Sequence, residues 1–354
     1  MARNASKSIC SLCSSCRSAL VGQLSIFLDQ YQIFSLTPTA DDIAKERVLC
    51  AISYIIQALR SEEVKLGPID RILGFVEKDI KECLAILPEH PEAAKELGLL
   101  ALQCLVAIGR GLQAPDDIPI LVGEAEPLPP SFWEHGYGLG IQNRILSVVQ
   151  ILVVNLGEDG EIVDAACAVF RTGFSETTPG PFVFPPRVIA EFLLRWANSG
   201  IRVETVLSTA STMVSSHSTE GSPNISGEVG QFLEFAVGLA ERLENPQVDP
   251  EVSQGLIEFL NRLFSRYIDV LVWYQPRERI ERLLMFVLNA LQVRETLAKK
   301  AAATFWASFI SFSDERPEVQ ASLNSLVNMC GPSLGEKLVW ASLNFLLPSP
   351  AKGD

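Results

Sequence analysis

The stretch LGLLALQCLVAIG, residues 97–109, carries one polar side chain, Gln103, in an otherwise apolar run. A helix that crosses a bilayer needs about 18–20 consecutive apolar residues, so this run is too short for a membrane span. We interpret it as a helix buried inside a protein. The other long apolar run, ILSVVQILVVNL at residues 145–156, has the same interpretation, and no membrane insertion is predicted.

Helical periodicity continues outward from this stretch in both directions, and Pro, Gly or short polar clusters separate the segments. Thr39 precedes the acidic residues of one start, as a helix cap does. Six prolines fall in predicted opening turns, where the missing N–H costs nothing: Pro68, Pro91, Pro186, Pro250, Pro276 and Pro317. The predicted helices are 4–16, 17–34, 40–60, 69–87, 91–110, 132–157, 160–175, 185–199, 203–217, 226–244, 249–272, 277–293, 296–313, 316–330 and 333–346.

Taken in pairs, these helices recur every 40 to 50 residues, and each has two apolar stripes. One stripe would face the partner helix and the other the next pair, which is typical of HEAT-like repeats. We predict an all-α fold: an α-solenoid of degenerate HEAT/ARM-like repeats, with about seven to eight helix pairs in a right-handed superhelix. Residues 1–354 would form this single solenoid, with mobile loops at 114–131 and 217–226.

Charge and cysteine content narrow the classes of function. The formal net charge of -13 argues against direct nucleic-acid binding, which needs clustered Lys and Arg, and favours basic protein partners. The eight scattered cysteines are typical of reduced thiols in the cytosol or nucleus. Residues 1–28 carry Arg3, Lys7 and Arg17 without an acidic residue, as transit peptides do, but three cysteines favour a folded segment.

The thiols of CSLCSSC, residues 10–16, are the one pattern that suggests metal or redox chemistry. On a helix, Cys10, Cys13 and Cys16 would drift around the axis instead of converging, and the nearest histidine in the sequence is His90. We therefore favour packing over a metal or redox site, and we predict no cofactor and no enzymatic activity.

GYGLG, residues 136–140, lacks the full phosphate-loop pattern and a preceding strand. We interpret SFWEHGYGLGIQNR, residues 131–144, as an irregular helix start in which Trp133 and Tyr137 pack on a neighbour.

Two segments differ strongly in charge. Residues 89–164 hold twelve acidic and three basic residues, and residues 251–300 hold six acidic and eight basic residues. Ordinary solvated faces would explain either segment, but as whole surfaces they would attract partners of opposite charge. The candidate partner-binding residues are the acidic Glu158, Asp159, Glu161 and Asp164 and the basic Arg262, Arg266, Arg279 and Arg282.

Four segments, in order, resemble one family. SKSICSLCSSCRSAL (6–20), EIVDAACAVFRTGF (161–174), PPRVIAEFLLRWANSGIRVETVLSTASTMVSSHS (185–218) and ETLAKKAAATFWASFISF (295–312) are similar to the carboxyl-terminal half of karyopherin-β transport receptors of the importin-13 and transportin-SR type. The likeness extends over nearly the whole chain, and it rests on segment order because no single motif is diagnostic. In that family a similar Cys-x-x-Cys lies on a helix, which agrees with a packing role.

The resemblance implies a receptor that shuttles between nucleus and cytoplasm. It would bind protein cargo, the GTPase Ran in the full-length receptor and nucleoporins. The family's amino-terminal Ran-binding repeats have no counterpart here, so a partial receptor is expected. Transportin-SR receptors use an arginine-rich helix where this chain has only Arg171, which favours importin-13-like cargo over phosphorylated splicing factors. The alternative is a helical-repeat scaffold unconnected to Ran.

Overall fold

The computed structural model describes residues 2–37, 40–114, 132–133, 135–176, 178–217 and 224–346, with side chains as far as residue 336. Among these residues the regular structure is entirely helical. The helices are α1 (Ala2–Ser15), α2 (Arg17–Leu20), α3 (Leu24–Ser35), α4 (Asp42–Gln57), α5 (Glu62–Ile86), α6 (Pro91–Leu112), α7 (Gly136–Leu156), α8 (Gly160–Arg171), α9 (Pro186–Ser199), α10 (Val203–Ser216), α11 (Ser226–Leu243), α12 (Pro250–Arg266), α13 (Ile268–Val272), α14 (Arg277–Ala290), α15 (Thr296–Ser311) and α16 (Pro317–Leu346). The predicted cap Thr39 and most of the loops predicted at 114–131 and 217–226 lie outside the described residues.

The chain divides into two compact units, unit 1 (Met1–Pro185) and unit 2 (Pro186–Asp354). In each unit the helices alternate between two layers along the chain. The first layer of unit 1 contains α1, α4, α6 and α8, and its second layer contains α3, α5 and α7. The first layer of unit 2 contains α10, α12 and α15, and its second layer contains α9, α11, α14 and α16. This alternation is the stacking of helix pairs that a helical repeat produces.

Small residues let the helices of the first layer of unit 1 approach closely. A Cβ atom added to Gly111 of α6 would lie 2.5 Å from Ser53 Cβ and 2.6 Å from the Cys50 carbonyl oxygen of α4. A Cβ atom at Gly109 would lie 2.7 Å from Thr172 Oγ1 at the end of α8. Two glycines on one helix therefore fix its distance to the helices on either side.

Local signals set several helix starts. The side chains of Asp41, Ser61 and Asp249 accept hydrogen bonds from backbone N–H groups in the first turns of α4, α5 and α12. Gly200 has a φ of +82° in the turn between α9 and α10, a backbone conformation that L side chains rarely adopt. The turns that pair the helices are thus specified by the local sequence.

The strap, residues 178–185, follows α8 in unit 1 and packs against α7. Phe182 and Phe184 are buried, and the side-chain amide of Gln142 on α7 donates to the carbonyl oxygens of Gly180 (2.8 Å) and Val183 (2.9 Å). We predicted that the preceding helix would run to residue 175, but it ends at Arg171. Gly173 follows this end, and the chain turns there so closely against Phe182 that a side chain would not fit.

Two proline predictions are wrong. Pro68 lies inside α5, which begins at Glu62 because Ser61 caps it and two acidic residues occupy its first turn. The predicted break near Pro332 does not occur, since α16 runs from Pro317 to Leu346. Buried residues continue through that proline at helical spacing, so packing overrides the local break signal: Val319, Leu323, Leu326, Cys330 and Leu334.

Two further predictions need correction. The helix predicted at 249–272 breaks at Tyr267, whose hydroxyl donates to the His217 carbonyl oxygen at 3.0 Å. Trp133 is buried as expected, but Tyr137 is 84% exposed and does not pack on a neighbour.

The apolar run at 145–156 lies within α7, so the length of the run alone does not decide whether this segment could span a membrane. With 21 residues, α7 is long and apolar enough to cross a membrane by length and composition. In unit 1 it lies against α5, α6 and α8, and nine of its residues are buried. A core helix has the same properties, so the prediction that the chain does not insert into membranes now rests on this packing and not on length.

Candidate functional site

The four acidic candidates lie in unit 1, in the turn between α7 and α8 and at the start of α8. Asp159 caps α8 and accepts from the Glu161 N–H at 2.9 Å. Lys95 of α6 bridges this turn, with its Nζ 2.6 Å from Asp159 Oδ2 and 3.0 Å from Glu161 Oε2. The two carboxylates raise the pKa of Lys95, so the lysine stays charged.

The remaining two acidic candidates differ in exposure. Glu158 is exposed at the turn, and Asp164 is half-buried one turn into α8. The structure therefore brings the four carboxylates into one segment, but Lys95 neutralises part of their charge. Glu158 is the acidic candidate best placed to meet a partner.

Arg279 joins two helices of unit 2. On α14, its guanidinium makes a two-pronged contact with Glu241 of α11, with Nε 3.1 Å from Oε1 and an Nη atom 2.9 Å from Oε2. The other Nη atom lies 2.6 Å from Glu234 Oε1 and 2.8 Å from the Tyr274 hydroxyl, which itself donates to Glu234. We call these four residues and Arg282 the α11–α14 brace; Arg282 reaches Glu241 Oε1 at 3.2 Å.

The brace shifts the pKa of each carboxyl group downward. Hydrogen bonds from Tyr274 and Arg279 lower the pKa of Glu234, and the Arg279 guanidinium lowers that of Glu241. Burial and the neighbouring Glu234 raise the pKa of Tyr274 to about 12. All three side chains and Arg279 therefore hold one protonation pattern near neutral pH, and Arg279 serves the packing of unit 2.

Arg262 and Arg266 lie apart from the brace. They are exposed one turn apart on α12, in the first layer of unit 2, whereas the brace joins two helices of the second layer. Within the described residues neither of these arginines forms an ion pair. The structure thus separates the four basic candidates into a pair without an ion pair in the described residues and a pair bound to Glu241, of which Arg282 is still exposed.

The three amino-terminal thiols have different surroundings. Cys13 is fully buried, Cys10 is half-buried and Cys16 is exposed after the end of α1. Burial, with Cys10 and Cys16 nearby, raises the pKa of the Cys13 thiol to about 11, which favours the unreactive protonated form. The packing role is confirmed for Cys13.

Sequence reasoning missed the residues that hold the candidates in place. Lys95 is distant in sequence from the carboxylates it bridges, so only a fold shows the contact. For Glu234 and Glu241 the sequence does give an indication, because a spacing of seven residues predicts that both lie on one face of α11.

The comparisons with known proteins found a match in structure but none in sequence. No family model and no curated protein matches the sequence. The solved structure "Importin13 cytosolic state" aligns with 95% of this chain at a TM-score of 0.71 and 16% sequence identity. This chain has a karyopherin-like helical-repeat fold. The alignment covers 36% of that importin-13 chain, so the present chain spans about a third of its length.

The match confirms the predicted fold class, an all-α solenoid of helical repeats. The karyopherin resemblance inferred from segment order agrees with it at the level of fold. The candidate partner-binding residues of this karyopherin-like chain stay predictions. Their contacts separate those that form internal ion pairs from those that do not. Its organisation as a single solenoid from residue 1 to 354 also stays a prediction.

Proposed function

We propose that this chain is the cargo-binding part of an importin-13-like nuclear transport receptor. It would act without catalysis by binding protein cargo for Ran-dependent import and would shuttle between nucleus and cytoplasm. The observation that carries the proposal is the alignment of nearly the whole chain with importin-13. The collinear segments in the sequence support the same family independently of the structure.

The surface chemistry of unit 2 supports a role in holding proteins. On α12 the exposed Glu258, Arg262 and Arg266 follow one another at intervals of four residues, which places them along one face of the helix. This row belongs to the first layer, and buried residues on the other side of α12 hold the helix in place. A firmly held helix with a charged row is suited to recognising a partner surface of mixed charge.

The basic candidates accordingly take different roles in the proposal. Arg262 and Arg266 would meet an acidic patch on cargo or on Ran, whereas Arg279 would keep α14 in place. On the acidic side, Glu158 would meet basic cargo, and Lys95 would fix Asp159 and Glu161 at the edge of that contact. Nucleoporins complete the partners expected of such a receptor.

The test is capture of cytosolic proteins on the purified, immobilised chain joined to the amino-terminal Ran-binding repeats of importin-13, with and without GTP-loaded Ran. Captured proteins are identified by mass spectrometry. We expect a reproducible set of nuclear proteins whose retention changes when GTP-loaded Ran is added, while GDP-loaded Ran leaves it unchanged. A set that responds equally to both nucleotide forms, or not at all, would favour the scaffold alternative.

A further inference from the structure

A polar cavity of about 300 Å³ lies between α1 and α4 in unit 1. Its lining is Lys7, Cys10, Ser11, Ser14 and Ser15 of α1 together with Arg47 and Tyr54 of α4. Both helices belong to the first layer, and no residue of the second layer contributes. The cavity therefore opens along the groove between two neighbouring first-layer helices.

The lining consists almost entirely of hydrogen-bond donors. It offers one ammonium, one guanidinium, three serine hydroxyls and one phenol, and no carboxylate. That composition stands out in a chain with 42 acidic and 29 basic residues. The basic amino-terminal segment, in which Arg3, Lys7 and Arg17 precede the first acidic residue Asp29, supplies part of this charge.

Two cations of the cavity, Lys7 and Arg47, are not held in an ion pair within the described residues, although Arg47 interacts electrostatically with the half-buried Glu46. Arg47 is held in position because one Nη atom donates to the Arg3 carbonyl oxygen at 2.9 Å. A third cation, Arg17, lies over the Tyr54 ring at 4.5 Å and positions that side of the cavity.

The serine hydroxyls of the cavity are also uncommitted. Elsewhere in the fold, hydroxyls on helices bond back to the carbonyl four residues earlier, as Ser53 does to Leu49 and Thr212 to Ser208. Within the described part of the chain, no hydroxyl of Ser11, Ser14 or Ser15 makes such a bond. These hydroxyls are therefore available to a ligand in the cavity.

We propose that this cavity binds a phosphorylated serine or threonine side chain of a protein partner. Lys7 and Arg47 would neutralise the phosphate dianion, and Ser11 and Ser14 would donate to its remaining oxygens. A phosphate group has three terminal oxygens and close to two negative charges near neutral pH, so it uses more of these donors than a carboxylate does.

The length of the cavity favours a peptide over a free anion. Lining residues from Lys7 to Ser15 extend along about 12 Å of α1, at 1.5 Å per residue. That length admits the phosphate and a neighbouring peptide unit, whereas a free phosphate would contact only part of it. The proposal concerns partner chemistry in unit 1 and does not depend on Ran or on transport.

The experiment is isothermal titration of the purified chain with three synthetic tripeptides. Each is acetylated and amidated, with glycine on both sides of phosphoserine, serine or glutamate; inorganic phosphate is titrated separately. We expect the phosphoserine peptide to bind at least about tenfold more tightly than the other two peptides and than inorganic phosphate. Equal affinity for the glutamate peptide would overturn the phosphate assignment, and equal affinity for inorganic phosphate would overturn the peptide assignment.

The variant Lys7→Gln/Arg47→Gln tests the named residues. It should weaken phosphoserine-peptide binding at least about tenfold, because it removes both charges that face the dianion. The matched control Arg195→Gln/Arg294→Gln removes two exposed charges from unit 2 and should leave binding within about twofold.

A second variant keeps the site testable even if Lys7→Gln/Arg47→Gln does not fold. Ser11 is exposed, so Ser11→Asp should keep the thermal unfolding profile while placing a carboxylate in the cavity. Loss of phosphoserine binding in this folded variant supports the site. Unchanged binding in both cavity variants, or an equal loss in the control, would overturn it. Neither result bears on Ran-dependent import.

Discussion

Single glycines set the spacing of helices in unit 1. We expect Gly111→Ala to lower the free energy of unfolding by about 1–3 kcal/mol, since its Cβ would meet Cys50 backbone and Ser53 Cβ on α4. The control Gly74→Ala lies on exposed α5 surface with no atom within 4 Å of the added Cβ. It should stabilise the protein by about 0.5–1 kcal/mol because alanine favours helix. Urea unfolding of both variants measures the two effects; equal effects would contradict the close approach of α4 and α6.

The α11–α14 brace makes the stability of unit 2 depend on pH. Glu234 and Glu241 have a lower pKa in the folded chain, so their stabilising effect is fully present above the unfolded value near 4.5. It disappears as the pH falls through the lowered folded values. Arg279→Met should therefore lower the melting temperature at pH 7, and the difference from the parent chain should shrink below about pH 4.

Arg195→Met serves as the control for this pH dependence, because Arg195 is an exposed arginine on α9. Thermal melts over pH 3–7 measure both variants. A difference between Arg279→Met and the parent that stays constant over that range would show that the brace carboxylates do not contribute.

At the scale of whole helices, Pro68 occupies an unfavourable place. It is the seventh residue of α5, where proline removes a backbone hydrogen bond. We expect Pro68→Ala to raise the free energy of unfolding by at least about 1 kcal/mol. Pro250→Ala, at the first position of α12, should have little or the opposite effect because proline suits that position. Equal gains in chemical denaturation would contradict the continuous α5.

The helices show where sequence reasoning succeeds and where it stops. Strong local signals, such as Pro250 after the capping Asp249, predicted α12 to begin within one residue of its observed start. Pro332 misled the prediction because buried residues at helical spacing continue on both sides of it. Pro68 misled it because the Ser61 cap starts α5 before the proline. Packing energy that accumulates over many residues outweighs one local break signal.

The candidate site was less predictable than the fold. Clusters of like charge are visible in the sequence, but their internal partners are not, because Lys95 and Glu241 lie far along the chain from the residues they bind. The sequence therefore identified Arg279 as readily as Arg262, although only Arg262 is open to a partner. Availability depends on tertiary contacts that residue spacing does not encode.

At the scale of the whole molecule, we expect partner capture to depend on the exposed face of α12, in the first layer of unit 2. Arg262→Glu/Arg266→Glu should weaken capture of at least one protein partner about tenfold or more, since like charges at a contact cost several kcal/mol. Arg195→Glu/Arg294→Glu changes the net charge equally on other exposed arginines and should leave capture intact. Quantitative pull-down compares the two variants. Equal retention of every partner would show that these arginines of α12 do not contribute to partner binding.

Karyopherin-like transport is most directly tested in permeabilised cells. The chain is joined to the amino-terminal Ran-binding repeats of importin-13 and to a fluorescent protein. The fusion is added with purified Ran and an energy supply, and nuclear fluorescence is recorded. The account predicts nuclear accumulation that falls to the level of the fluorescent protein alone when Ran is omitted. Exclusion from nuclei, or accumulation that is the same with and without Ran, would contradict it.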